Sequence, residues 1–114
     1  MTVALAKPDL DAGLFTNQVE KQKAFYEQDL GRPAEGVLSI GPLAPLGAGV
    51  DQHRLDAGGS IIKLNHCADP LPEATSGYRR LVVAVAGTPQ PRLLSDPDGL
   101  EVEVVPPGHR GVET

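Results

Sequence analysis

The sequence is short of aromatic residues, with no tryptophan, two phenylalanines and two tyrosines among 114 residues. Recognition of bases or sugars by stacking therefore has little to work with, and the core must be built from Val, Leu, Ile and Ala. A single cysteine, Cys67, excludes an intrachain disulfide. Basic residues are scattered, ten Lys and Arg against fifteen Asp and Glu for a formal charge of -5. That balance provides no phosphate-tracking surface and sets nucleic acid aside as a partner. No charged-then-apolar leader follows Met1, so the expectation is a cytoplasmic protein with no membrane partner.

What the chain has in quantity is turns, with 13 glycines and 11 prolines, below the level of a disordered chain but suited to a strand-rich fold. Its length predicts one domain able to bury a core without metals or disulfides as staples.

Residues 10–16, LDAGLFT, form an apolar run of strand length. Asn17, with Glu20 three residues on, is a capping-box arrangement that predicts a helix from Gln18. Its buried face carries Val19, Tyr26 and Leu30, flanked by Gln22 and Phe25, and Gly31 and Pro33 end it. GPLAPLGAGV, residues 41–50, reads as a loop. VDQHRLDAGGSIIKLN reads as a hairpin around the turn Asp56-Ala57-Gly58-Gly59. Pairing Asp56 with Gly59 sets Arg54 opposite Ile61 and Gln52 opposite Lys63, all four on one face, with His53, Leu55, Ile62 and Leu64 on the other. After a linker bearing Pro70 and Pro72, Tyr78 to Val85 reads as a strand buried on both faces. Leu93 and Leu94 lead to the DPDG turn, and Leu100 to Val105 forms the last strand. There Glu101 and Glu103 alternate with Val102 and Val104, making one side acidic and the other aliphatic. The order of elements is that of an antiparallel α+β domain.

Three of these segments carry a family resemblance. LFTNQVEKQKAFYEQDLG is similar to the opening strand and helix of the vicinal oxygen chelate superfamily, GGSIIKLN to its fourth strand, and SDPDGLEVEVV to its closing strand. That superfamily includes glyoxalase I, methylmalonyl-CoA epimerase, extradiol dioxygenases and bleomycin-resistance proteins. The resemblance implies an α+β fold in which βαβββ modules build a mixed, largely antiparallel curled sheet forming a cup. Over 1–114 it implies one glyoxalase-like domain with a first module at 8–69, a second at 77–106 and a tail at 107–114. The second module must be shortened, because the seven residues AGTPQPR between Val85 and Leu93 cannot hold a helix and two strands. A shortened half leaves a sheet edge unpaired, which implies a homodimer, with strand exchange as one way to complete the cup.

In the enzymes of that superfamily a divalent metal sits in the cup, with ligands from the first and last strand of each module. Matching strand to strand places those positions at or near Asp11, Lys63, Arg80 and Glu103. Glu103 falls where the closing metal carboxylate belongs and is the candidate catalytic residue. Lys63 and Arg80 have no lone pair to give a metal at neutral pH. No metal or other cofactor is therefore expected, and the two carboxylates and two cations are expected to neutralise one another. With Arg54 and Gln52 on the face of Lys63, the set Asp11, Gln52, Arg54, Lys63, Arg80 and Glu103 reads as a site for a small organic, anionic ligand. One alternative is a metal-dependent lyase, isomerase or dioxygenase in which Glu103 and Asp11 hold the metal, joined through a shifted strand register by His66 or His53. A second is a non-catalytic dimerising interaction module.

Other chemistry finds no support in the sequence. His66 and Cys67, adjacent on a strand, point to opposite faces and cannot pair as base and nucleophile. His53 lies on the face away from Lys63, and His109 is in the tail. GPLAPLGAG has neither the residues nor the following helix of a phosphate loop, and no serine sits in a nucleophile elbow.

Overall fold

The computed structural model describes residues 9–41, 49–73 and 77–108. Most of the loop expected at 41–50, the residues 74–76 of the linker, and His109 with the end of the tail lie outside the described residues. The chain divides into two compact units, Met1–Leu71 and Pro72–Thr114.

The first unit runs β1 (Ala12–Phe15), α1 (Val19–Ala24), β2 (Ala34–Ile40), β3 (Val50–Ala57) and β4 (Ser60–Cys67). This is the βαβββ order. Its sheet is mixed, with the strands in the spatial order β1-β4-β3-β2: β1 runs parallel to β4, and β3 is antiparallel to both β4 and β2. Alternation along the strands separates the two faces. Leu14, Leu55, Ile62 and Leu64 share one face and are buried, and α1 packs against β4 with Gln22, Phe25, Tyr26 and Leu30 buried. The Phe25 and Tyr26 rings meet edge to face with centroids 4.9 Å apart, a favoured aromatic geometry.

The second unit holds β5 (Leu81–Ala84), β6 (Arg92–Ser95) and β7 (Glu101–Val105) in the order β5-β7-β6. Again the opening strand runs parallel to the closing one, and a third strand pairs antiparallel on its far side. This repeats β1, β4 and β3 without the helix and without a strand equivalent to β2. Residues 85–91 hold neither helix nor strand. The fold is thus mixed α+β, with seven strands in two open sheets and one helix among the described residues.

Several local expectations are corrected. Asn17 does not cap α1. Its side chain instead donates to the Leu71 carbonyl at 2.8 Å and accepts from the Leu71 amide at 2.9 Å, while the Thr16 hydroxyl accepts from the Gln18 amide at 3.0 Å. The helix starts at Val19 and closes in a wide turn over Phe25–Asp29, where the Leu30 amide donates to the Phe25 carbonyl at 2.9 Å. The sequence reading found no strand at Ala34–Ile40, because Gly36 interrupts it and nearly every residue is exposed, so no alternation marks it. The hairpin turn is Gly58-Gly59, with φ of 68° and 98°; that left-handed pair closes a two-residue loop. It pairs Ala57 with Ser60, which sets Arg54 opposite Lys63 and Gln52 opposite Asn65. The shift of two residues keeps every side chain on its expected face. The opening strand of the second unit is only Leu81–Ala84, and it is not buried on both faces, since Val82 is 45% exposed.

The DPDG turn is built by one side chain. The Asp96 carboxylate, 4% exposed, accepts from the amides of Asp98 and Leu100, both at 2.9 Å, and the Gly99 amide donates to the Asp96 carbonyl at 2.9 Å. Asp96 thereby fixes where β7 begins and which way Glu101 and Glu103 face.

Candidate functional site

Asp11 immediately precedes β1, and Lys63 lies one residue beyond the β4 partner of Ala12. This offset lets the carboxylate reach across the parallel pair: Asp11 Oδ2 lies 3.2 Å from Lys63 Nζ, and Asp11 Oδ1 accepts from the Ile61 amide at 2.9 Å. Arg80 immediately precedes β5, and Glu103 lies one residue beyond the β7 partner of Leu81. Arg80 Nη1 lies 3.5 Å from Glu103 Oε1, and its Nε and Nη2 donate to Glu101 Oε2 at 3.0 and 2.7 Å. The hydrogen bond and charge of Glu101, with a smaller contribution from Glu103, raise the Arg80 guanidinium above its ordinary value.

The four sequence-derived positions thus come together as two ion pairs, one in each unit. The remaining two, Gln52 and Arg54, lie on the same sheet face as Lys63. Arg54 Nη1 donates to Gln52 Oε1 at 2.8 Å, Gln52 Nε2 donates to Asn65 Oδ1 at 3.0 Å, and Asn65 Nδ2 reaches the Lys63 carbonyl at 3.5 Å. Gln52 and Asn65 are buried, so their amides are held in one orientation by this chain of bonds. Two participants escaped sequence reasoning. Asn65 follows directly from the correct hairpin register, and Glu101 from its two-residue spacing to Glu103.

No family profile matches the chain, and neither does any curated protein. Solved structures do. A glyoxalase family protein from Bacillus cereus superposes with a TM-score of 0.67 at 16% identity, over 91% of this chain and 95% of that one. A lactoylglutathione lyase from Agrobacterium tumefaciens gives 0.58 at 14%, over 92% and 97%. An antibiotic binding protein from a Streptomyces species gives 0.53 at 21%, over 94% and 100%. The chain has the fold of these glyoxalase-type structures.

The sequence resemblance implies a divalent metal on donors from the opening and closing strands. In this chain the residues at those positions do not fit one. Lys63 and Arg80 offer only N–H donors, and the carboxylates they leave, Asp11 and Glu103, are already engaged by them. His53 and His66 pair with Leu64 and Asp51 in the β3-β4 ladder, on the face opposite Lys63, Gln52 and Arg54. A shifted register that brings either histidine beside Lys63 is therefore not the one adopted. Cys67 is buried, and on β4 it alternates with His66. Among the described residues no three His, Cys, Asp or Glu side chains are grouped to hold a metal ion. No described helix is long and apolar enough to cross a membrane.

Proposed function

We propose that this protein binds a small organic anion on the polar faces of its sheets, with ion pairs standing where metal-dependent relatives carry a cation. The observation that carries this reading is the pairing of Asp11 with Lys63 and of Arg80 with Glu103, the residues that the sequence resemblance matches to metal donors. Asp11 and Lys63 neutralise each other, and Arg80 serves both Glu101 and Glu103, so each of these carboxylates has a cationic partner without a metal ion. Exposed apolar groups flank the pairs on the same faces. Phe15 and Leu38 lie in register with Asn65 and Gln52 in the first sheet, and Val82 and Leu93 lie on either side of Glu103 in the second. A surface of fixed charge bordered by apolar side chains suits a ligand with an apolar body and a charged end. The Streptomyces structure, described as an antibiotic binding protein, shows that this fold is used to hold organic molecules. Calorimetry against a panel of aryl and alkyl carboxylates and apolar antibiotics tests the reading. Saturable binding by members of the panel is the expected result, and silence across it counts against ligand binding.

We further propose that the chain pairs with a second copy through β2. That strand lies at a sheet edge, exposed along nearly its whole length, with Val37 57% exposed. Residues 36–40 carry no charge, so antiparallel pairing with the same strand of another copy opposes no like charges.

A further inference from the structure

Across the polar face of the first sheet, side chains fall into rows set by the strand register. One row runs Phe15, Asn65, Gln52, Leu38, and the next runs Gly13, Lys63, Arg54, Gly36. The second row therefore holds two cations flanked on both sides by residues with no side chain, which lowers the side-chain layer over β1 and β2. A Cβ at Gly36 would meet nothing within 4 Å, and one at Gly13 would meet only Asn65 Nδ2, at 3.7 Å. Phe15 and Leu38, 49% and 50% exposed, stand at the ends of the neighbouring row.

The two cations are not equivalent. Lys63 is taken by Asp11. Arg54 forms no ion pair among the described residues and spends a single N–H on Gln52. On the same face, the nearby Asp56 carboxylate accepts from the Gly58 amide at 3.2 Å. Gln52 is aimed by the buried Asn65, so its carbonyl can only face Arg54. A buried, oriented amide chain that ends on a guanidinium with unspent donors is a positioning device, because it fixes the fork that recognises a planar carboxylate.

We infer that Arg54 anchors the carboxylate of the ligand, and that the apolar body of that ligand runs across the sheet to the low ground over Gly13, beside Phe15. The ligand class is a monocarboxylic acid with a narrow apolar body. A dicarboxylate is disfavoured, because the second charge would compete with Asp11 for Lys63. This inference rests on the proposed anion-binding function and names its anchor and its ligand.

The test uses 4-phenylbutyrate and its uncharged match, 4-phenylbutyramide, titrated by calorimetry against the full chain. The wild-type protein is expected to prefer the acid by about tenfold, the size of one charge-assisted interaction. Arg54→Gln should bring acid and amide to near-equal affinity, and Arg54→Lys should keep part of the preference. Gly13→Leu should weaken both ligands, since the added side chain fills the recess. Gly13 is not in the left-handed region, so a side chain there brings no backbone strain, and thermal melts check that each variant is folded. An Arg54→Gln protein that keeps the preference while Lys63→Gln loses it would move the anchor and overturn this inference alone. Binding of other panel acids, with no acid-over-amide preference here, would overturn it too. Wild-type silence toward the whole panel would remove the proposed function together with it.

Discussion

Asp11 and Arg80 occupy the same register position in their two sheets with opposite charge. Each stands one residue before the opening strand, and each faces a closing-strand residue one step beyond the first pair, Lys63 in one unit and Glu103 in the other. The sign of the pair is inverted between the halves, while its geometry is kept. The first pair is neutral and the second cluster, with Arg80 shared by Glu101 and Glu103, keeps one negative charge, so selection of an anion falls to whichever cationic group is left over. In the first sheet that group is Arg54, opposite Lys63, whereas its counterpart opposite Glu103 is the uncharged Leu93.

The inverted repeat predicts that the first pair tolerates exchange. Asp11→Lys alone places two cations together and removes the acceptor of the Ile61 amide. Lys63→Asp in the same chain restores the attraction. Urea unfolding of the two singles and the double should show a coupling of about 0.5–1 kcal/mol in favour of the double. Additive losses would mean that the pair contributes no net attraction.

Asp96→Ala removes the acceptor of two amides at the start of β7, one of them on the buried Leu100. The expected cost is about 2–4 kcal/mol in unfolding free energy. A loss below about 0.5 kcal/mol would place the turn's stability in its backbone alone.

Edge pairing through β2 predicts a molecular mass of two chains by light scattering, falling to one in Val37→Lys, whose charge would face its own copy across the edge. Val37 lies on the face opposite Gln52 and Arg54, so carboxylate binding should survive in the monomer. A wild-type protein of single-chain mass at all concentrations contradicts the pairing.

Much of this was legible in the chain before any coordinates, and the reasons are local. The Val19, Tyr26 and Leu30 spacing, the double glycine of the hairpin and DPDG each impose structure through a few neighbouring residues. The faces of β3 and β4 survived an error in register because the error was an even number of residues. Asn17 misled because the carbonyl and amide that claim it belong to Leu71, 54 positions away, and no local pattern reports such a partner. β2 was missed because it is an edge, and an edge with solvent on both faces has no period to read. Asp11, Lys63, Arg80 and Glu103 were found through the resemblance, and Gln52 and Arg54 through the face they share with Lys63 in the hairpin. Which of them pair, and that Arg54 is left over, follows only from distances.

The central claim is that the chain holds an organic anion without a metal. It is tested most directly by calorimetry of the carboxylate panel on one preparation, first in excess EDTA and then in excess Ni²⁺ or Zn²⁺, with elemental analysis of the purified protein alongside. The account predicts the same affinity in both conditions and well under one metal per chain. Binding that vanishes in EDTA and returns with a divalent ion near one per chain would contradict it.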